Sequence, residues 1–289
     1  LMAKSYLDKY PDAALLFYDS EFGTPQSYFD SFGIDTERVL HTPLTDIEQL
    51  KFDVMQQLTN LDRDDKLIII IDSIGNLASK KEVEDALAEK SVADMSRAKQ
   101  VKSLFRMVTP HLNLKDIPMI VVNHTYMEIG MFPKAIVGGG TGSYYSADNI
   151  FIIGRQQEKE GTEVIGYNFI INVEKSRYVR EKSKIPVTVR HDGGISKWSG
   201  LLDIALDSGH VVKPSNGWYS KVDSDGVIED KKYRIKDTDS SEFWLPILKQ
   251  KSFQEYVQTT YQIASGSIMQ EDTVDKAFEL ETTNGVEDD

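Results

Sequence analysis

Hydrophobic positions along the chain fall into six short runs rich in β-branched and aromatic residues, at 13–19, 67–72, 117–123, 149–154, 167–173 and 185–190. Longer stretches of mixed, helix-like character separate them. The first three runs are almost continuously apolar, the pattern of strands covered on both faces, and their alternation with helical stretches predicts an α/β core with a mostly parallel sheet flanked by helices. The last three alternate more, a pattern open to antiparallel pairing. Between the second and third runs, Met95, Ala98, Val101, Phe105, Val108 and Leu112 recur at spacings of three and four, which predicts one amphipathic helix. Beyond 192–194 the chain turns Gly- and Asp-rich, and a further helical pattern covers 241–261. These changes predict a core over 1–200, a small C-terminal subdomain over 201–264 and a solvated acidic tail over 265–289.

Composition narrows the classes. The 289 residues are 40% hydrophobic and 27% charged, an ordinary globular balance. There is no cysteine, so zinc–thiolate sites, iron–sulfur clusters and thiol catalysis are excluded, and a reducing intracellular setting is expected. Apolar runs such as Leu67 to Ile71 are far shorter than the roughly 20 residues that span a bilayer, so no membrane partner is expected.

Charge changes the picture more than its sum implies. The net charge is -13, but residues 270–289 carry eight acids against Lys276, more than half of the excess. Two inner segments are basic: Arg97, Lys99, Lys102 and Arg106 occur with no intervening acid, and six cations face two glutamates between 173 and 191. An acidic total thus coexists with cationic stripes able to meet a polyanion.

Candidate chemistry gathers at the strand ends. In open α/β sheets ligands sit beyond the carboxyl ends of the strands. The first run ends Asp19-Ser20-Glu21 and the second Asp72-Ser73. An apolar run closing on Asp-Ser has the form of a Walker B element, whose aspartate orders the water shell of nucleotide-bound Mg²⁺; it equally suits a helix cap. Glu21 can act as a general base that polarises a water, or be a solvated loop glutamate. Asn123-His124 closes the third run, where a phosphate sensor or a structural hydrogen-bonder would stand. The stretch 125–142 is Gly-rich and reads as neither helix nor strand. It lacks the Gly-Lys pair of a P-loop, and its apolar wedges and lone lysine suit insertion between nucleic-acid bases, or a plain surface loop. Lys175 and Arg177, two residues apart, share a face if extended and can neutralise phosphate or form a solvated edge.

Together these strings identify a family. FYDSEFG (17–23), IDSIGNLASKKEVEDAL (71–87), NHTY (123–126), GGGTG (138–142), YSAD (145–148), VEKSR (173–177) and SGLLD (199–203) closely resemble the viral branch of the RecA/Rad51 strand-exchange family, from about Lys4 to about Tyr261. The resemblance implies a RecA-like ATPase core and a DNA-dependent ATPase that forms helical filaments on single-stranded DNA and pairs it with homologous duplex DNA. Its cofactors would be ATP and Mg²⁺, a mediator and a single-strand-binding protein would assist it, and it would act in the cytoplasm of an infected host cell.

The same resemblance implies roles for residues. Glu21 matches the catalytic glutamate, and His124 the γ-phosphate sensor. Tyr28 corresponds to the adenine-stacking aromatic. Asp72, followed by Ser73, corresponds to the aspartate that holds Mg²⁺ through water. Lys175 and Arg177 match cations that reach a neighbouring subunit's nucleotide. The first DNA-binding loop maps to 80–95 with Lys80 and Lys81, and the second to 125–142 with Tyr126, Phe132, Lys134, Gly139 and Gly140; Lys99, Lys102 and Arg106 fall where the family contacts the DNA backbone. The family's Walker A loop belongs before the Ala13 strand and is not found there. The expectation is therefore a fragment that lacks its start and is inactive alone, drawn from an active parent. A non-catalytic paralogue or mediator that binds DNA and recombinase, and a hexameric helicase on the same fold, are the competing expectations.

Overall fold

The structure is a computed structural model, and it describes residues 1–89, 96–131, 135–138 and 140–263. Two compact units are formed, 1–147 and a second that begins at Asp148.

In the first unit, α1 (Met2–Lys9), β1 (Ala14–Asp19), α2 (Gln26–Ser31), β2 (Val39–Pro43), α3 (Ile47–Asn60), β3 (Leu67–Asp72), α4 (Lys80–Leu87), α5 (Ser96–Lys115) and β4 (Met119–Val121) follow in order. Strands β2-β1-β3-β4 form an all-parallel sheet. Successive side chains of a strand point to opposite faces, and here both faces are covered. Leu16, Tyr18, Ile69 and Ile71 pack with Leu50, Val54 and Leu58 of α3 and Val101, Leu104 and Val108 of α5. Leu15, Phe17 and Ile68 pack with Ala3 and Leu7 of α1 and Phe29 of α2. The continuous apolar runs follow from this two-sided burial, each such side chain stabilising the fold by about 1.5–3 kcal/mol. Inside that core, the Tyr18 hydroxyl donates to Asp53 Oδ2 at 2.6 Å, and burial with this carboxylate pushes its pKa far up.

Three features depart from the sequence expectations. The edge strand β2 has a mixed pattern of half-buried and exposed positions and no run that announced it. The stretch 125–142, read as irregular, contains an antiparallel pair, β5 (Thr125–Met127) with β6 (Ala135–Val137), and then α6 (Thr141–Ser146); strands of three residues are too short to show a period. Lys80 and Lys81 stand in the first turn of α4 rather than in a loop. That helix is started by a capping box in which Ser79 and Glu82 satisfy each other's backbone donors.

The second unit holds an antiparallel sheet of β7 (Asn149–Glu160), β8 (Glu163–Ser176), β9 (Lys184–Arg190) and β10 (Gly194–Ile195) in the order β10-β9-β8-β7. The alternating runs therefore do pair antiparallel. Next come α7 (Leu201–Asp207), a small sheet of β11 (Val211–Ser215), β12 (Trp218–Lys221) and β13 (Tyr233–Arg234), and α8 (Ser241–Leu248) and α9 (Lys251–Tyr261). The helical pattern at 241–261 is thus two helices, broken at Lys249–Gln250. Phe243, Trp244, Ile247 and Phe253 bury against Tyr233 and Val211 as a separate core.

Candidate functional site

Register places the chemistry. Strands β1 and β3 pair so that Asp19 lies opposite Asp72, and both chains leave the sheet at the same edge. Asp19 is buried, and its side chain is consumed locally. Oδ1 accepts from the backbone N–H of Glu21 at 2.9 Å and of Phe22 at 2.8 Å, while Oδ2 lies 3.1 Å from His41 Nε2 of β2. These bonds fix the turn that presents Glu21. Ser20 ties that turn to the other strand, its hydroxyl donating to Ser73 O at 2.6 Å and accepting from Ser73 N at 2.9 Å.

Glu21, Ser73 and His124 then meet. The Ser73 hydroxyl donates to Glu21 Oε1 at 2.9 Å. His124 Nε2 lies 3.2 Å from Ser73 Oγ, 3.2 Å from Asn76 Oδ1 and 3.6 Å from Glu21 Oε1. Since the only hydroxyl proton of Ser73 is given to Glu21, its oxygen is an acceptor toward the imidazole, as is Asn76 Oδ1. Nε2 therefore carries the hydrogen. Oε2 of Glu21 has no hydrogen-bond partner among the described residues and is the oxygen left for a water.

Asp72 stands beside this group. Its pKa is raised, first by burial, then by Glu21 and Asp19, with His124 opposing. Three carboxylates converge on one strand edge, and a divalent cation would relieve their mutual repulsion. Among the described residues no set of three or more His, Asp or Glu could enclose a metal alone. Mg²⁺ keeps most of its waters and takes few protein ligands, and the Asp72 carboxyl is a group here that could meet such a hydrated ion.

His124 is also joined to the hairpin. Its carbonyl accepts from Gly138 N at 2.9 Å, and Asn123 Nδ2 donates to Gly138 O at 2.8 Å. On the other side Gly75 lies against the ring, where a Cβ would fall 2.0 Å from His124 Cδ2. Asn76, Gly75 and His41 are not singled out by the sequence, and Asp19 is read there as a carboxylate over the ligand crevice rather than as the residue that holds the turn. A glycine and an asparagine just after a strand-ending Asp-Ser were the available signal, but they look like ordinary turn residues.

The remaining candidates separate. Tyr28 is exposed on α2, edge-on to Phe32 at 5.1 Å. Lys99, Lys102 and Arg106 are exposed on α5 opposite its buried stripe. Gly140 and Gly142 pack on that helix: a Cβ at Gly142 would lie 2.7 Å from Lys102 Cα, and one at Gly140 3.8 Å from Ala98 Cβ. The end of the Gly-rich stretch therefore rests on the basic helix. Tyr126, Met127, Ile129 and Met131 project from the hairpin region, Ile129 fully exposed. Lys80 donates its backbone N–H to Glu48 Oε2 at 3.1 Å, and Lys81 pairs with Asp85. In the second unit β8 ends at Ser176, so Lys175 is on the strand while Arg177 lies in the bend after it, its Nε 3.0 Å from Asp148 Oδ1. Phe132, Lys134, Gly139, residues 90–95 and the tail 265–289 lie outside the described residues.

Comparison with known proteins gives the family. Residues 7–196 match the RecA N-terminal domain, and residues 198–257 match the family described as Bacteriophage T4, Recombination and repair protein, C-terminal domain. The recombination and repair protein of Enterobacteria phage T4 is 52% identical over 269 residues, 91% of this chain and 69% of that protein. Protein RecA of Tropheryma whipplei (strain Twist) is 27% identical, over 70% of this chain and 46% of that protein, and Protein RecA of Syntrophus aciditrophicus (strain SB) 26% identical, over 71% and 59%. The chain thus spans about half the length of the bacterial relatives and just over two thirds of the phage one. It belongs to the RecA family of recombination proteins, in the branch that holds the phage T4 recombination and repair protein.

Proposed function

We infer that this chain is the catalytic and DNA-binding part of an ATP-dependent strand-exchange recombinase that assembles on single-stranded DNA and pairs it with a homologous duplex. The observation that carries the reading is the Glu21–Ser73–His124 group, held beside Asp72 at the carboxyl ends of two parallel strands and bonded through His124 to an exposed hairpin.

Ser73 occupies Oε1 of Glu21 and so orients the carboxylate, leaving Oε2 to take a proton from a water as that water attacks the terminal phosphoryl group. Mg²⁺, when bound at Asp72 through water, supplies charge neutralisation for the phosphates. A phosphate oxygen only accepts, so the His124 ring senses it by donating Nε2–H, which leaves Ser73 and Asn76 to do so. A shift of His124 moves its carbonyl and with it Gly138 and β6, so nucleotide state reaches the hairpin. On that hairpin Tyr126 offers a stacking surface, with Phe132, Lys134 and Gly139 in the same stretch. Lys99, Lys102 and Arg106, with Lys80 and Lys81 of α4, offer backbone contacts of little sequence preference. Tyr28 stacks on the adenine. Lys175 and Arg177 act in trans on a neighbour's nucleotide in a filament, Arg177 leaving Asp148 to do so. The divisions 1–200, 201–264 and 265–289 serve as ATPase core, C-terminal subdomain and acidic tail, and the site of action is the host cytoplasm, with a mediator and a single-strand-binding protein as helpers.

The test is ATP turnover by the full-length gene product with and without single-stranded DNA, beside Glu21→Gln. DNA-stimulated turnover that Glu21→Gln abolishes while DNA binding persists is the expected result. Absence of turnover in the parent protein favours a non-catalytic mediator, and closed rings with unwinding activity favour a helicase.

A further inference from the structure

Arg97 begins, with Lys99, Lys102 and Arg106, the basic stripe of α5, yet its charge is turned inward. Nε donates to Leu77 O at 2.7 Å, and Nη2 donates to Ile74 O at 2.9 Å and Gly75 O at 2.8 Å. A planar guanidinium with fixed donor directions, bonded to three carbonyls of one four-residue stretch, sets the conformation of that stretch. The stretch is the platform of His124. Gly75 leaves room for the ring, and Asn76 Oδ1 accepts from Nε2–H. Ile74 N in turn donates to Val122 O at 3.0 Å, two residues before His124. A continuous path of directional contacts runs from Arg97 through 74–77 to His124, then to Ser73 and Glu21.

Arg97 lies in the first turn of α5, and the same helix carries Lys99, Lys102 and Arg106 exposed toward solvent, where a polyanion can meet them. We propose that Arg97 is a positioning residue that transmits DNA engagement at the exposed basic face of α5 to the Glu21–Ser73–His124 group. It is distinct from the route through Gly138 and the hairpin. Two DNA-facing segments thereby converge on a single imidazole, one through its backbone carbonyl and one through the platform under its ring. The proposal rests on the recombinase reading of the same site, and it assigns Arg97 no contact with DNA or nucleotide.

The experiment uses the full-length protein, an oligothymidine as DNA, and three readouts: ATP turnover at saturating DNA divided by turnover without DNA, oligothymidine affinity by fluorescence anisotropy, and melting temperature. Arg97→Ala and Arg97→Gln should lower the stimulation ratio by about 10-fold, within the usual range of site–site coupling, with DNA affinity held within about threefold. Arg97→Lys should fall between, because one ammonium cannot meet three carbonyls as the guanidinium fork does. A parental stimulation ratio in Arg97→Ala overturns the proposal. So does lost affinity with an unaltered ratio at saturation, which makes Arg97 an ordinary DNA contact. If Arg97→Ala does not fold, Arg97→Lys decides: a reduced ratio at parental melting temperature supports the assignment, and a parental ratio overturns it. A parent protein that DNA does not stimulate brings down the recombinase reading and this inference together, whereas a stimulated parent with an insensitive Arg97→Ala removes this inference alone.

Discussion

The strand-end group around Glu21 and the hairpin that begins at Thr125 are joined by one residue, His124, yet they are built on opposite plans. Around Glu21 nearly every polar atom is engaged: Asp19 holds the turn, Ser20 ties two strands, and Ser73 orients the carboxylate. The hairpin has two three-residue strands and places Tyr126, Met127, Ile129 and Met131 in solvent. The contrast matches the two demands of the proposed function. A proton-transferring carboxylate must be held in one geometry, which rigid strands and saturated hydrogen bonds supply. A surface that meets a flexible polymer of any sequence needs exposed stacking faces and few internal constraints.

The comparison breaks most sharply at Glu21. Glu21→Gln keeps the Ser73 bond and the shape but removes the proposed base, so turnover should fall about 10²-fold or more, with oligothymidine affinity retained; an active Glu21→Gln removes Glu21 from the role. Next is Gly75→Ala, whose Cβ would collide with the His124 ring. A loss of about 1–3 kcal/mol of stability is expected, together with a reduced DNA stimulation of turnover, and an unaltered chemical-denaturation midpoint would show that the ring is free to move. On the hairpin, Tyr126→Ala should weaken oligothymidine binding by about 1–3 kcal/mol while the melting temperature stays put. Lys102→Gln should act through the phosphates, lowering the slope of log affinity against log salt by about 0.7 for single strands.

The smallest effect sharpens the electrostatic side. The Asp72 carboxyl is raised in the fold, so the folded protein binds its proton more tightly than the unfolded chain does. Stability therefore falls as pH rises from the ordinary carboxylate range through the raised folded value, and stays lower above it. Asp72→Asn removes that cost and should raise the melting temperature of the metal-free protein at pH 7 by about 1–3 °C, with little change at pH values below the ordinary carboxylate pKa. Added Mg²⁺ should narrow the difference between parent and variant.

Much of the site was legible along the chain. Leu67 to Asp72 reads as a covered strand ending on a carboxylate because burial on both faces admits only apolar residues until the sheet stops, and the first polar residue marks the edge where ligands bind. The buried stripe of α5 and its exposed Lys99, Lys102 and Arg106 are legible for a similar reason, since a helix that packs on one side repeats every three to four residues. The hairpin strands were too short to show a period, and β2 lies at a sheet edge where exposure blurs its pattern.

Arg97 shows where such reading stops. By spacing it belongs with the other cations of α5, and in the fold it is turned away from them, onto the carbonyls of 74, 75 and 77. Asp19 likewise reads as a reactive carboxylate at a strand end but is used up in holding the turn. Periodicity and strand-end polarity record which face of an element is covered, so the parallel core and the candidate carboxylates follow from local order along the chain. Which donor meets which acceptor around His124 depends on contacts between residues some 50 positions apart, such as Ser73 with Glu21 and with His124. Those pairings arise only when the sheet brings β1, β3 and the segment after β4 to one edge, because hydrogen bonds act over about 3 Å and carry no trace in sequence spacing.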